Sequence, residues 1–289
     1  MERVGEHPVP AGPLAVRWLA YELEPVRAGA LAVARLAFEN AGSAPWRQTP
    51  DERIHLSYHW LDPLDNPIVW DGLWRPLERQ VEPGEQVDLR LQVRGPRPPA
   101  RYTLAFDLVD EARCWFADVG STPLALAVEV LPRIPRRTLA AAVRPGPEEL
   151  VRETHEALAR QEERVVNEQG AAATAHLAAG CMPARDWSRR ILDGHAEGFA
   201  AVGGSIDPLG SVLDRTRLRR ELAPWAPGTG RNPNFDHPLL CPSLVADVEP
   251  TWLDDMAGLP AIDRPREEPW LYDGRIVVRA RLRSGRRPA

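Results

Sequence analysis

The sequence predicts a β-sandwich over residues 14–131, then a linker at 132–147, then a smaller irregular α/β region over 148–289. Three observations carry this reading. Up to Leu131 short apolar runs alternate with turn residues, and no helical period intervenes. Pro132, Pro135 and the pair Arg136-Arg137 then interrupt the pattern. Beyond Pro145-Gly146-Pro147 apolar residues return at helical spacing, mixed with isolated extended runs.

The elements follow in order. Residues 14–23 and 31–39 read as strands, and Asn40-Ala41-Gly42 breaks the second, since Asn and Gly tolerate the positive φ of turns. Residues 54–61 place Ile54, Leu56, Tyr58 and Trp60 on one face and His55, Ser57 and His59 on the other. Asp65-Asn66-Pro67 turns the chain into an extended run at 68–70. Pro83-Gly84 precedes 86–93, where Val87, Leu89, Leu91 and Val93 alternate, and 102–109 and 124–131 complete the set. Roughly seven or eight strands at this spacing suit two stacked sheets of the immunoglobulin-like type.

In the second region a helix is expected over 148–166, with Glu148, Glu149 and Glu153 favoured by its dipole. A second helix is expected over 186–197, a short strand over 199–202 ending at a Gly203-Gly204 turn, and a long loop over 222–236. A last strand is expected over 275–282, with Arg279, Arg281, Arg283, Arg286 and Arg287 forming a basic tail.

The bulk properties exclude several classes. The chain has 289 residues and a formal net charge of −5, and all 36 of its Lys-plus-Arg residues are arginine. Mild acidity does not suit a dedicated nucleic-acid binder. No run approaches the roughly 20 apolar residues of a transmembrane helix. Residues 1–13 lack the apolar core of a signal peptide. Cys114, Cys181 and Cys241 are too few and too far apart for a disulfide framework, so a cytoplasmic setting is expected. No complete cofactor motif is present.

Six of the ten tryptophans (Trp18, Trp46, Trp60, Trp70, Trp74 and Trp115) fall in the first region. Indole faces suit sugars, whose C–H groups pack on the ring while their hydroxyls stay hydrogen-bonded. Trp60, centred on an apolar face, reads as core. Trp70-Asp71-Gly72-Leu73-Trp74-Arg75 combines two indoles, a carboxylate and a guanidinium beside a glycine. The candidate ligand-binding residues are therefore Trp70, Asp71, Trp74 and Arg75, with His59 on the polar face of its strand. Core filling or capping of the sandwich ends is the competing use of these indoles.

The string Phe38-Glu39-Asn40-Ala41-Gly42-Ser43-Ala44-Pro45-Trp46, with Leu56-Ser57-Tyr58-His59-Trp60, Val81-Glu82-Pro83-Gly84-Glu85 and Tyr102-Thr103-Leu104, resembles a known Ig-like family. It is similar to the four-tryptophan domain of autophagy receptors. It also resembles Ig-like modules found beside bacterial glycosyltransferases and in polysaccharide-export proteins, which the ending Phe106–Glu111 with Trp115-Phe116 fits better. Pro99-Ala100-Arg101 departs from the family by lacking its glycine before the Tyr strand.

In the second region Gly180-Cys181-Met182-Pro183-Ala184-Arg185-Asp186-Trp187, followed by Val202-Gly203-Gly204-Ser205-Ile206, resembles a stretch of family-2-type glycosyltransferases. That resemblance implies metal-holding carboxylates just before the proline, and this chain has Leu177-Ala178-Ala179-Gly180 there. It thus implies a trimmed remnant without its metal site. His176, Cys181 and His195, with His237 or Cys241, are the available zinc ligands, but their spacing matches no compact pattern. The expectation is a non-catalytic accessory or carbohydrate-binding protein of bacterial surface polysaccharide synthesis, its partner a glycan or a glycosyltransferase. The alternatives are a transferase with a metal-independent site at Asp186, Asp207 and Asp236, and a protein–protein interaction module.

Overall fold

The computed structural model describes residues 1–50, 52–111, 113–166, 170–265 and 267–282. With 42% strand and 13% helix, the chain is β-rich, as its alternation requires. It divides into two compact units, Met1–Leu131 and Pro132–Ala289.

The first unit holds six main strands: β1 (Val16–Leu23), β2 (Leu31–Asn40), β3 (Glu52–Leu61), β4 (Gln86–Arg94), β5 (Arg101–Asp110) and β6 (Leu124–Glu129). β1, β2 and β4 form one antiparallel sheet in that order, with the short strand Glu2–Arg3 beside β1. β3, β5 and β6 form the second, in that order. Period-two alternation sends Leu36, Phe38, Leu89 and Leu91 from the first sheet into the same core as Leu56, Tyr58, Trp60, Leu104, Phe106 and Leu108 from the second. Trp46 and Trp60 are fully buried there, and the Trp60 indole donates to the Arg94 carbonyl at 3.0 Å.

The turn at Asn40-Ala41-Gly42 is tied into this frame. The buried Asn40 amide donates to the Ala44 and Val81 carbonyls at 3.0 and 2.9 Å, and its Oδ1 accepts from Gly42 N at 3.0 Å. A Cβ at Gly42 would lie 2.1 Å from the Pro13 carbonyl oxygen, so only glycine fits that turn.

Among the described residues the second unit is a mixed sheet with three α-helices. Its main elements are β7 (Leu139–Val143), α1 (Glu148–Leu158), β8 (Ala173–Leu177), β9 (Cys181–Pro183), α2 (Trp187–Ala196), β10 (Ala201–Leu209), α3 (Val212–Glu221), β11 (Ser243–Val245) and β12 (Trp270–Arg281). The sheet order is β7-β8-β11-β10-β12-β9, with Val165–Val166 outside β7. β7 and β8 are parallel, as are β10 and β12, while β11 and β9 run antiparallel to their neighbours.

Several expectations for this half are corrected. The segment 132–147 is not a free linker, since β7 within it pairs with β8 and buries Leu139 and Ala140. The first helix stops at Leu158, because the charged run from Arg160 to Arg164 offers no apolar face to bury. Gly203-Gly204 is no turn. It lies inside β10 at a register shift, where a Cβ on Gly204 would sit 2.1 Å from the Ile276 carbonyl oxygen of β12. The expected loop 222–236 contains a 3₁₀ turn at Ala223–Trp225 and the short strand Arg231–Asn232. The last strand begins at Trp270, five residues before the expected start at 275. Arg283, Arg286 and Arg287 lie outside the described residues.

Candidate functional site

Because Leu56, Tyr58 and Trp60 point into the core, β3 turns His55, Ser57 and His59 to the opposite face of its sheet. Register with β5 sets Ser57 across from Asp107 and His55 across from Val109. Trp115, paired with Val109, stands on the same face. The chain then doubles back: Pro67–Val69 and Arg75–Pro76 both pair with β3, so residues 70–74 arch beside it. Gly72 anchors the arch, its N–H donating to the Tyr58 carbonyl at 3.0 Å; any Cβ there would strike Tyr58.

The arch lays aromatic rings over polar side chains. Trp70 stacks on His59 with centroids 4.2 Å apart and planes 26° from parallel. Trp115 meets His59 edge-on at 4.4 Å, and meets Trp70 and Trp74 edge-on at 6.3 and 6.1 Å. Trp74 also packs on His55 at 5.2 Å. Such pairs each contribute about 0.5–1.5 kcal/mol beyond the area they bury. Trp70 and Trp74 nevertheless remain 46% and 40% exposed, whereas Trp115 is buried.

Beneath the rings lies a polar nest. Ser57, His59 and Asp107 are all buried. His59 Nδ1 bonds the Trp70 carbonyl, which can only accept, so the proton of the neutral ring sits on Nδ1. Nε2 is then an acceptor, 3.9 Å from the nearer Asp107 oxygen. Asp107 instead accepts from its neighbour Leu108 N at 2.8 Å and from Ala117 N at 3.2 Å. Burial pushes its carboxyl above the usual range, outweighing the backbone hydrogen bonds from Leu108 and Ala117 that oppose the shift. Ser57 Oγ, His59 Nε2 and His55 Nδ1 have no hydrogen-bond partner among the described residues.

Ser57, His59 and Asp107 are not an acyl-transfer triad, because the imidazole Nδ1 is held by a carbonyl rather than by the carboxylate. What the face offers chemically is two accessible indoles with polar groups at their margins. Asp71 and Arg75 are both exposed beside them, Arg75 pairing with Glu78 at 2.6 Å. All five residues singled out in the sequence thus belong to one arch and the strand beneath it. Sequence reasoning missed Ser57, Asp107 and Trp115 as members of the site. The alternation of 54–61 signalled the first, while the other two depend on long-range register.

The second unit gathers its candidates less well. Asp186 precedes α2 and pairs with Arg190 and, at 3.8 Å, with Arg189. Asp207 on β10 lies between Arg219 and Arg279, each at 3.7 Å, and the 90% exposed Asp236 faces Arg264 at 3.8 Å. The three share no partner in these ion pairs. His195 is committed on both nitrogens, donating from Nδ1 to the Phe199 carbonyl at 2.8 Å and accepting at Nε2 from Ser243 Oγ at 2.9 Å. Burial lowers its pKa to about 4, so it is neutral at physiological pH. His176 packs edge-on against Trp252 at 4.7 Å. Cys181 and Cys241 do meet, their sulfurs 4.0 Å apart in the core. Among the described residues no group of three His, Cys, Asp or Glu side chains is placed to hold a metal ion.

No family model matches the chain, and no curated protein matches it. Among solved structures it is similar over 46% of its length to 28% of a family 123 glycoside hydrolase from Clostridium perfringens, with 13% identity and a TM-score of 0.23. It is similar over 43% of its length to 99% of the putative ApaA protein from Bordetella pertussis, with 17% identity and a TM-score of 0.21. A β-glucosidase from Paenibacillus barengoltzii matches 42% of the chain with 15% of its own, at 19% identity and a TM-score of 0.21. The chain spans well under two thirds of the hydrolase and of the glucosidase.

Proposed function

We propose that the first unit is an Ig-like carbohydrate-binding module whose ligand rests on Trp70 and Trp74. The observation that carries this reading is the pair of half-exposed indoles, held in place from below by His59 and Trp115. A ring so buttressed loses little freedom when a ligand stacks on it. Asp71 and Arg75 stand ready for hydroxyls at the margin.

The Ig-like assignment is supported by the strand division β1-β2-β4 against β3-β5-β6 and by the buried Trp60 at the centre of β3. Tyr102 adds support, its hydroxyl donating to the Pro98 carbonyl at 2.7 Å near the start of β5, as in a tyrosine corner. The whole chain is read as a non-catalytic accessory of bacterial surface polysaccharide synthesis, working in the cytoplasm on a glycan or beside a glycosyltransferase. Among the described residues no helix is long and apolar enough to cross a membrane. A transferase site at Asp186, Asp207 and Asp236 is not favoured, since the three carboxylates pair with different arginines and share no partner in these ion pairs.

The test is retention on immobilised oligosaccharides of the intact chain and its Trp70→Ala and Trp74→Ala variants. Retention should fall about tenfold in each variant, the loss of one stacked contact of about 1.4 kcal/mol. Equal retention by the variants, or unfolding of both, would sink the reading.

A further inference from the structure

A cavity of about 980 Å³ in the second unit lies between α1 and the sheet face made by β9, β12 and β10. Its construction follows from register. Val277, Arg279 and Arg281 recur at every second residue of β12 and so share one face. Met182 of β9 and Asp207 of β10 both stand beside Arg279, and Leu209 stands beside Arg281. Met182, Val277 and Leu209 thus give the cavity an apolar floor, while Arg279 and Arg281 rise from it at 67% and 53% side-chain exposure. The far wall is tied in place by Gln161. Its amide donates to the Ala157 and Ala184 carbonyls at 3.2 and 3.0 Å, and its oxygen accepts from Ser188 N at 3.0 Å.

The charge at the rim runs against that of the chain. Arg160, Arg185, Arg279 and Arg281 line the cavity against only Glu153 and Glu156, in a protein whose net charge is −5. Three of these arginines, exposed themselves, make long pairs among the described residues: Arg281 with Glu153 at 3.4 Å, Arg160 with Glu156 at 3.7 Å and Arg279 with Asp207 at 3.7 Å. Pairs of that kind contribute little and exchange readily for a better anion. Arg185 is exposed and has no carboxylate partner among the described residues. Guanidinium groups match phosphate oxygens through parallel hydrogen bonds. A cavity of this volume is the size of a small-molecule site.

We infer that this cavity binds an organic phosphate monoester, its phosphate on the arginine rim and its apolar body on the Met182–Val277–Leu209 floor. The inference is independent of the tryptophan face. Calorimetry on the intact chain tests it, with octyl phosphate below its micellar concentration as the probe and octanol as the neutral control. Octyl phosphate should bind saturably and octanol should not. Arg185→Ala and Arg279→Gln should each weaken binding about tenfold, the worth of one charge-assisted contact, with an unchanged melting temperature. Co-sedimentation with phosphatidylcholine vesicles containing phosphatidic acid identifies the source. Binding to both probes marks a lipid headgroup as ligand, and binding to octyl phosphate alone marks a soluble ester. No saturable octyl phosphate binding, or equal binding by both variants, overturns the proposal.

Discussion

Asp107 and His195 are both buried, yet they bend stability with pH in opposite directions. The folded state holds the Asp107 proton to higher pH than the unfolded chain does, because burial raises its carboxyl. Its contribution therefore falls as pH rises from the ordinary aspartate value of 3.8 through the raised one, and is flat above. Asp107→Asn should remove that fall and leave the first unit at least as stable at neutral pH, to within about 1 kcal/mol, in urea melts at a series of pH values. An unchanged slope would show that burial does not raise the carboxyl. His195 has the other sign: its folded pKa of about 4 lies below the ordinary histidine value of 6.5. The unfolded state takes up the proton first, so stability is lost as pH falls from 6.5 toward 4, by on the order of 3 kcal/mol. His195→Gln should abolish that loss. The same two residues mark the limits of sequence reading at this scale. His59 was legible because alternation put it opposite Trp60. Asp107 was not, because its neighbours Ser57, His59 and Ala117 come from another strand and from a turn further along the chain.

At the scale of elements, the first unit was legible almost strand for strand. Its runs set Leu, Val, Ile and aromatic residues at core positions two apart, and Asn40-Ala41-Gly42, Asp65-Asn66-Pro67 and Pro83-Gly84 mark turns between them. The second unit hides its elements for identifiable reasons. β7 contains three successive alanines, which signal no period, and proline-rich segments flank it. α3 has Arg at four of ten positions and buries only Leu218, so it has no apolar stripe to detect. Gly203 and Gly204 mimic a turn, yet they are glycines because β12 and Leu239 crowd β10. Gly204→Ala should therefore cost more than about 3 kcal/mol, read as a lower denaturation midpoint. A tolerated alanine would mean that the register shift relaxes freely.

At the scale of the whole molecule, the contact pattern divides the chain after Leu131, and each side has its own apolar cluster. Residues 1–131 and 132–289, produced separately, should each give a cooperative thermal transition monitored by circular dichroism. A first unit that folds alone while the second does not would assign part of the second core to its neighbour. The most direct test of the carbohydrate reading uses the tryptophans themselves. Intrinsic fluorescence of the intact chain should change saturably as neutral oligosaccharides are titrated, and the change should vanish in the Trp70→Ala Trp74→Ala double variant with its melting temperature preserved. A saturable change that survives in the double variant, or none in the wild type with any oligosaccharide, would contradict it.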